Sequence, residues 1–350
     1  MIKYLGSKRR LVPVLCELLA RSGARTALDL FTGTTRVAQA FKAAGAHVTA
    51  VDTARYSEVF SKTWIELDAT TVDHRALGEA IAELDALPGE PGYVTRTFCT
   101  EARFFQPHNG ARIDAIRDAI QRDHAGTQLE PILLTSLLLA ADRVDSTTGV
   151  QMAYVKRWAP RSYRRLELRP PDLLAGPGRA VRGDARTLAA TLGSFDLAYL
   201  DPPYNQHRYF TNYHVWETLV ADDRPEHYGV AAKRVDARDP HTKSAFNSKR
   251  TMATALADTI AALDAEVVVV SYNDESWLSL DDLAEMCAGH GAVTALAFDS
   301  RRYVGARIGI HNRHGDKVGT VGRLRNLEYV VVAGPAATVA RMTEGMPVVT

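Results

Sequence analysis

The run Asp201-Pro202-Pro203-Tyr204-Asn205 holds the residue types that one chemical problem needs. An exocyclic amine on a purine ring, such as adenine N6, is a poor nucleophile because its lone pair is delocalised into the ring. Two acceptors on its two N–H groups draw the nitrogen toward sp3 geometry. The Asp201 carboxylate can be one acceptor, and the Pro202 carbonyl, held by a stiff Pro-Pro backbone, can be the other. Tyr204 offers an aromatic face on which an extruded base can stack. Attack on an electrophilic methyl is then direct, and catalysis comes from placement and electrostatics. A proline-rich turn after a strand is the competing structural explanation.

These residues follow Phe195 to Leu200, a run that reads as a buried strand. In doubly wound sheets ligands bind beyond the carboxyl ends of strands, which is where Asp201 would stand. Upstream, Leu11, Val14, Leu15, Leu18 and Leu19 have helical spacing. Ala27 to Phe31 reads as a strand, Thr32-Gly33-Thr34-Thr35 as a turn, and Val37 to Phe41 as a helix closed by Gly45. His47 to Val51 is the next strand and ends at Asp52, which completes a βαβ unit. Further strands are predicted at Ala180–Arg182, Val267–Ser271, Val293–Phe298 and Leu327–Ala333, seven in all. The pattern is an α/β doubly wound sheet. Residues 57–175 carry helical patterns (Ile113, Ile116, Ile120; Ile132 to Leu139) and few strand signals. We therefore expect a catalytic domain of residues 1–56 and 176–350 with a mostly helical, target-recognition insertion of residues 57–175. Pro88–Gly92 and Gly176–Gly178 would be its linkers.

Asp201-Pro202-Pro203-Tyr204 resembles the catalytic tetrad of N6-adenine-specific DNA methyltransferases. Lys3-Tyr4-Leu5-Gly6-Ser7-Lys8 resembles the N-terminal cofactor motif of the Dam-type group, and Asp29-Leu30-Phe31-Thr32-Gly33-Thr34 resembles its Gly loop. The resemblance implies a Rossmann-like, seven-stranded sheet that binds S-adenosylmethionine. It makes Tyr4, Lys8, Asp29, Phe31, Gly33 and Asp201 cofactor contacts. The commoner family form has a second glycine where this chain has Thr35. Asp52, about 20 residues beyond the loop, suits a carboxylate on the ribose hydroxyls, or else a helix cap. Asp184 resembles the residue near the cofactor's adenine, with an N-cap before Leu188 as the alternative. Asn212 and Tyr213 lie in a stretch that resembles the segment following the tetrad in some restriction-modification enzymes. They would help hold a flipped base, or simply pack a helix. Ser271-Tyr272-Asn273-Asp274 also looks family-like. The motifs span residues 3–52 and 180–333.

The implied partner is double-stranded DNA, with a cognate restriction endonuclease as a further possible partner. The implied location is the cytoplasm of a bacterium or a phage-infected cell. With 42 Lys and Arg against 41 Asp and Glu, net charge is +1, so contact with nucleic acid must rest on local basic patches. Candidates are Lys156 and Arg157 amid Tyr154, Trp158 and Tyr163; Lys249 beside Phe246-Asn247-Ser248; and Arg301 and Arg302 before the last strand. Any single patch is equally a solvated face. Cys16, Cys99 and Cys287 fit no zinc site or disulfide framework, and none follows a proline, so the nucleophile of cytosine-C5 methylation is absent. Direct methyl transfer to an amine needs no metal. The N-terminus is no signal peptide, and the apolar stretch Ile132 to Ala141 is too short to span a bilayer. The rival substrates are cytosine N4, an RNA base and protein glutamine. Those enzymes more often begin the tetrad with Ser or Asn. A non-catalytic DNA-binding module is the rival from another class.

Overall fold

The computed structural model describes residues 2–6, 8–152, 154, 157–203, 206–274, 276–301, 310–311, 317–319 and 325–349, with backbone only for 300–301, 310–311, 317–319 and 325–326. Its centre is one seven-stranded sheet: β1 (Thr26–Asp29), β2 (His47–Asp52), β3 (Arg179–Arg182), β4 (Phe195–Leu200), β5 (Ala265–Asn273), β6 (Ala292–Arg301) and β7 (Arg325–Gly334). The order across the sheet is β3-β2-β1-β4-β5-β7-β6. Strands β3 to β5 run parallel, with Ala27 beside Val48 and Leu197 and Leu197 beside Val267. β7 runs antiparallel between β5 and β6. All seven expected strands are present in this sheet. β1 is shorter than its apolar run, because Leu30 and Phe31 already belong to the turn.

Alternating side chains assign the two faces. Leu197, Tyr199, Val267 and Val269 belong to one apolar cluster, while Ala198, Leu200, Val268 and Val270 belong to the other. That is the two-residue repeat of a strand covered on both sides. The first face is covered by α1 (Val12–Ser22) and α2 (Arg36–Ala43), and its cluster continues through α3 (Arg55–Ser61), α4 (His74–Ala86), α5 (Pro107–His124) and α6 (Leu129–Val144). α7 (His214–Ala221) joins the same cluster through Val215, Trp216 and Leu219. The second face is covered by α8 (Met252–Ala261) and α9 (Leu280–Cys287). α6 is buried on nearly all sides, as its long apolar run, broken only by the buried Thr135 and Ser136, requires. Among the described residues no strand lies between 57 and 175, and no helix is long and apolar enough to cross a membrane.

Buried polar groups also hold the helical region together. Asp114 on α5 accepts from the backbone N–H groups of Gly92, Val94 and Thr95 at 2.8 Å and from Thr95 Oγ1 at 2.7 Å. Arg112 donates to the Leu87 and Leu166 carbonyls, and Asn109 ties down Arg164 and Leu166. The two expected linkers are docked rather than loose. Glu90 N–H donates to the Ala111 carbonyl, and a Cβ on Gly178 would lie 2.4 Å from the Ile65 carbonyl oxygen.

Candidate active site

The carboxyl ends of β1 to β4 open into one cavity of about 310 Å³. Its floor is Leu30 and Phe31 after β1, Asp52 and Thr53 after β2, Gly183 and Asp184 after β3, and Asp201-Pro202-Pro203 after β4. Tyr4 to Gly6 form one wall, and Thr242 to Ser244, Phe246 and Asn247 form another. This is the crevice at the topological switch point, where β1 and β4 diverge.

The Gly loop is built from carboxylates. Asp29 is buried, and its Oδ2 accepts from Thr32 Oγ1 at 2.9 Å and from the Ala38 N–H at 3.1 Å, which fixes the loop to the start of α2. Among the described residues its Oδ1 has no hydrogen-bond partner, and burial raises the carboxyl pKa from 3.8 to about 7. Asp52 Oδ2 accepts from the Gly33 N–H and Oδ1 from the Ala54 N–H, both at 2.9 Å. Burial pushes its pKa upward too. Gly33 has φ +53°, and a Cβ there would meet the Tyr4 ring at 3.1 Å, so that position admits only glycine without movement. Thr35, where the commoner form has its second glycine, also adopts a left-handed φ of 61°. That conformation is an outlier for a β-branched residue. It is held by Thr35 N–H to the Thr32 carbonyl at 2.7 Å and by Gln39 Nε2 to Thr35 Oγ1 at 2.8 Å.

Asp201 is held from one side. Lys8 Nζ lies 3.1 Å from Asp201 Oδ1, and Ser271 Oγ donates to the same oxygen at 3.2 Å. Among the described residues no hydrogen bond reaches Oδ2. Lys8 is buried and also lies 3.5 Å from Glu328 on β7. Desolvation raises the Asp201 pKa, Lys8 opposes that, and Glu328 adds to it. Behind Asp201, the Tyr199 hydroxyl and Ser271 Oγ are 2.8 Å apart.

Of the expected cofactor contacts, Tyr4, Phe31, Asp52, Asp184 and Asp201 line the cavity. Lys8, Asp29 and Gly33 stand behind it. Asp184 does two things at once: it lines the cavity and caps the turn Ala185–Leu188 through the Arg186 N–H at 2.9 Å. Asn212 and Tyr213 are buried away from the cavity. The Tyr213 ring stacks on Tyr4 at 4.7 Å between centroids, and its hydroxyl accepts from the Leu5 N–H at 2.6 Å. Tyr209 stacks near the same ring at 5.4 Å. In this arrangement the stretch after the tetrad seats the N-terminal motif. Arg157 and Lys249 are exposed. Tyr204, Lys156 and Arg302 lie outside the described residues, as does the side chain of Arg301.

Several cavity residues are not assigned to this site by the sequence, which groups Phe246 and Asn247 with a basic patch. Glu217 on α7 is buried and accepts from the Arg55 N–H at 2.7 Å, with burial raising its pKa to about 7. Arg234 is buried between Asp223, at 2.6 Å, and Asp236, at 2.7 Å. Phe246 packs edge-on against Phe31 at 5.0 Å, and Asn247 Nδ2 donates to the His207 carbonyl. No spacing connects residue 31 with 246. The only available signal was the string of Tyr and Glu after the tetrad.

The chain matches over residues 4–286 the family described as D12 class N6 adenine-specific DNA methyltransferase. It is 27% identical over 317 residues to Type II methyltransferase M.NlaIII of Neisseria lactamica, covering 86% of this chain and 92% of that protein. It is 28% identical over 303 residues to Modification methylase StsI of Streptococcus sanguinis, and 27% identical over 310 residues to Type II methyltransferase M.FokI of Planomicrobium okeanokoites. Those alignments cover 81% and 83% of this chain but 46% and 47% of the relatives, so the chain spans about half the length of these two.

Proposed function

The chain belongs to the D12 class of N6 adenine-specific DNA methyltransferases, and on that premise we propose that it methylates N6 of one adenine within a specific sequence of double-stranded DNA. The methyl donor is S-adenosylmethionine, and the adenine is turned out of the duplex toward Asp201. The chain acts as the modification partner of a restriction endonuclease or alone, in the cytoplasm. The domain reading carries over: residues 1–56 and 176–350 do the chemistry, and residues 57–175 contribute to target recognition, with Arg157 and Lys249 among the phosphate contacts.

The residues present fit the donor. The cavity offers two carboxylates, Asp52 and Asp184, for hydroxyl and amine donors and the Phe31 ring for a planar base, with the Gly33 turn packed on Tyr4 behind it. When bound, S-adenosylmethionine supplies an electrophilic methyl on a sulfonium. Asp52 would hold the ribose hydroxyls, Asp184 would face the adenine end, and Tyr4 would close the cavity above Gly33. Asp201 Oδ2 accepts one N–H of the target amine and the Pro202 carbonyl accepts the other. With both N–H groups held, Asp201 and Pro202 would keep the nitrogen lone pair directed at the methyl donor, and the amine would give up one proton to solvent once the methyl has been accepted. Tyr204 is assigned the stacking face on its residue type.

The observation that carries this reading is the one-sided hold on Asp201. Lys8 and Ser271 share Oδ1, which leaves Oδ2 as an acceptor beside the cavity. The test is expression of the wild type and of Asp201→Ala in a host without DNA methylation, followed by single-molecule sequencing of the host DNA. N6-methyladenine at one motif, lost in the variant with its fold retained, is the expected result. Wild-type methylation by the variant overturns the role of Asp201, and N4-methylcytosine changes the base.

A further inference from the structure

Glu328 lies beyond the stretch that matches the family, on β7, yet it reaches the centre of the site. The antiparallel register sets Glu328 opposite Asn273 and sets Val330 opposite Ser271. Residues two apart share a face, so Glu328 and Ser271 lie diagonally on one side of the sheet. Lys8 stands between the two acids, 3.1 Å from Asp201 and 3.5 Å from Glu328. Lys8 is buried and the two carboxylates are largely shielded, with 17–19% of their side-chain surface exposed, so their mutual influence is little screened. The other polar groups facing Asp201 are Ser271 from β5, Tyr199 from β4 and Asp29 from β1.

A lysine paired with Asp201 alone would draw that carboxylate toward itself and weaken it as an acceptor. A second carboxylate on the same ammonium divides the pull. It also gives the three ionised groups a net charge of −1, which a cationic donor would neutralise. We propose that Glu328 is a positioning residue for methyl transfer, sharing Lys8 with Asp201 so that Asp201 remains a strong acceptor for the target amine. The inference rests on the methyl-transfer reading. It extends that reading to a strand outside the family match.

The direct test is Glu328→Gln. Removing the second acid makes Asp201 easier to ionise, because Glu328 acts to raise its pKa. The acid limb of the kcat profile should therefore move to lower pH by roughly one unit, while the plateau falls about tenfold. The KM for DNA should change by less than about twofold. Lys8→Gln should move the limb the opposite way, and Glu328→Asp, which keeps the charge, should bring it back toward the wild type. A purely structural Glu328 would lower activity or thermal midpoint without moving the limb, and that result overturns the proposal. A 13C titration of the Asp201 carboxyl in the ligand-free protein, identified against Asp201→Asn, reads the same shift with no turnover. If the wild type methylates no DNA, the functional reading fails, and this titration still decides whether Glu328 tunes Asp201.

Discussion

Asp114 in the helical region and Asp201 at the end of β4 are both shielded carboxylates, and they are satisfied very differently. Asp114 takes four hydrogen bonds across its two oxygens, all from Gly92, Val94 and Thr95. Among the described residues, Asp201 has its two partners on Oδ1, and Asp29 behind it has an oxygen with none. A saturated carboxylate fixes the chain that surrounds it, and a half-satisfied one has acceptor capacity to offer a ligand. The helical region uses Asp114 for architecture, and the ends of β1 and β4 hold acceptor capacity in reserve, whereas Asp52 at the end of β2 accepts on both oxygens.

The largest test of that contrast is Asp114→Ala. It leaves three backbone donors without their acceptor and should cost about 3–5 kcal/mol. Urea denaturation checks this, and a loss below about 1 kcal/mol would mean the loop 92–95 holds itself. Asp52→Ala should do the reverse. We expect the apparent KM for S-adenosylmethionine to rise about tenfold, roughly 1.4 kcal/mol, with the KM for DNA little changed. An unaltered cofactor KM removes Asp52 from the ribose site.

A smaller effect concerns Asp29. Its folded-state pKa, about 7, lies above the ordinary 3.8, so between these values the folded protein binds a proton that the unfolded chain has released. The Asp29 contribution to stability should therefore fall as pH rises from about 4 to about 7 and level off above that, while buried His214, its pKa lowered from 6.5 to about 3, contributes in the opposite direction. Asp29→Asn should remove this contribution and leave those of the other acids with raised pKa, Glu217, Asp52 and Asp201 among them. Denaturation midpoints across the range give the answer, and an identical slope in the variant would show that Asp29 is ionised throughout. The smallest effect is at Thr35. Thr35→Gly relieves a left-handed β-branched residue but gives up the Gln39 hydrogen bond and loosens the unfolded chain. The net gain should be about 0.5–1 kcal/mol. A loss in the thermal midpoint would mean that the Gln39 contact outweighs the strain.

The strands were legible because buried parallel strands are short apolar runs between turn residues, and Phe195–Leu200 and Val267–Ser271 have no other reading. Asp201 and Asp52 were legible because each directly follows such a strand. The polar face of α5 was not, since Ile113, Ile116 and Ile120 mark the helix while nothing local says that Asn109, Arg112 and Asp114 point inward. Tyr213 was read as a possible base contact, and its burial against Tyr4 depends on a pairing across about two hundred residues. Glu328 likewise acquires meaning only from the register of β7 against β5.

That long-range pairing also bears on how the chain is made. The Leu5 N–H meets Tyr213 over a separation of 208 residues, and Lys8 meets Glu328 over 320. At a synthesis rate of about 5–20 residues per second, Lys8 waits roughly 16–64 s before Glu328 has been polymerised. Contacts of such high order form late. During translation the helical region can collapse around α5 and offer Asp142 and Asp145 to Lys3, but Leu5 and Lys8 still lack Tyr213, Asp201 and Glu328, so competence to transfer a methyl group arrives only with the last strands.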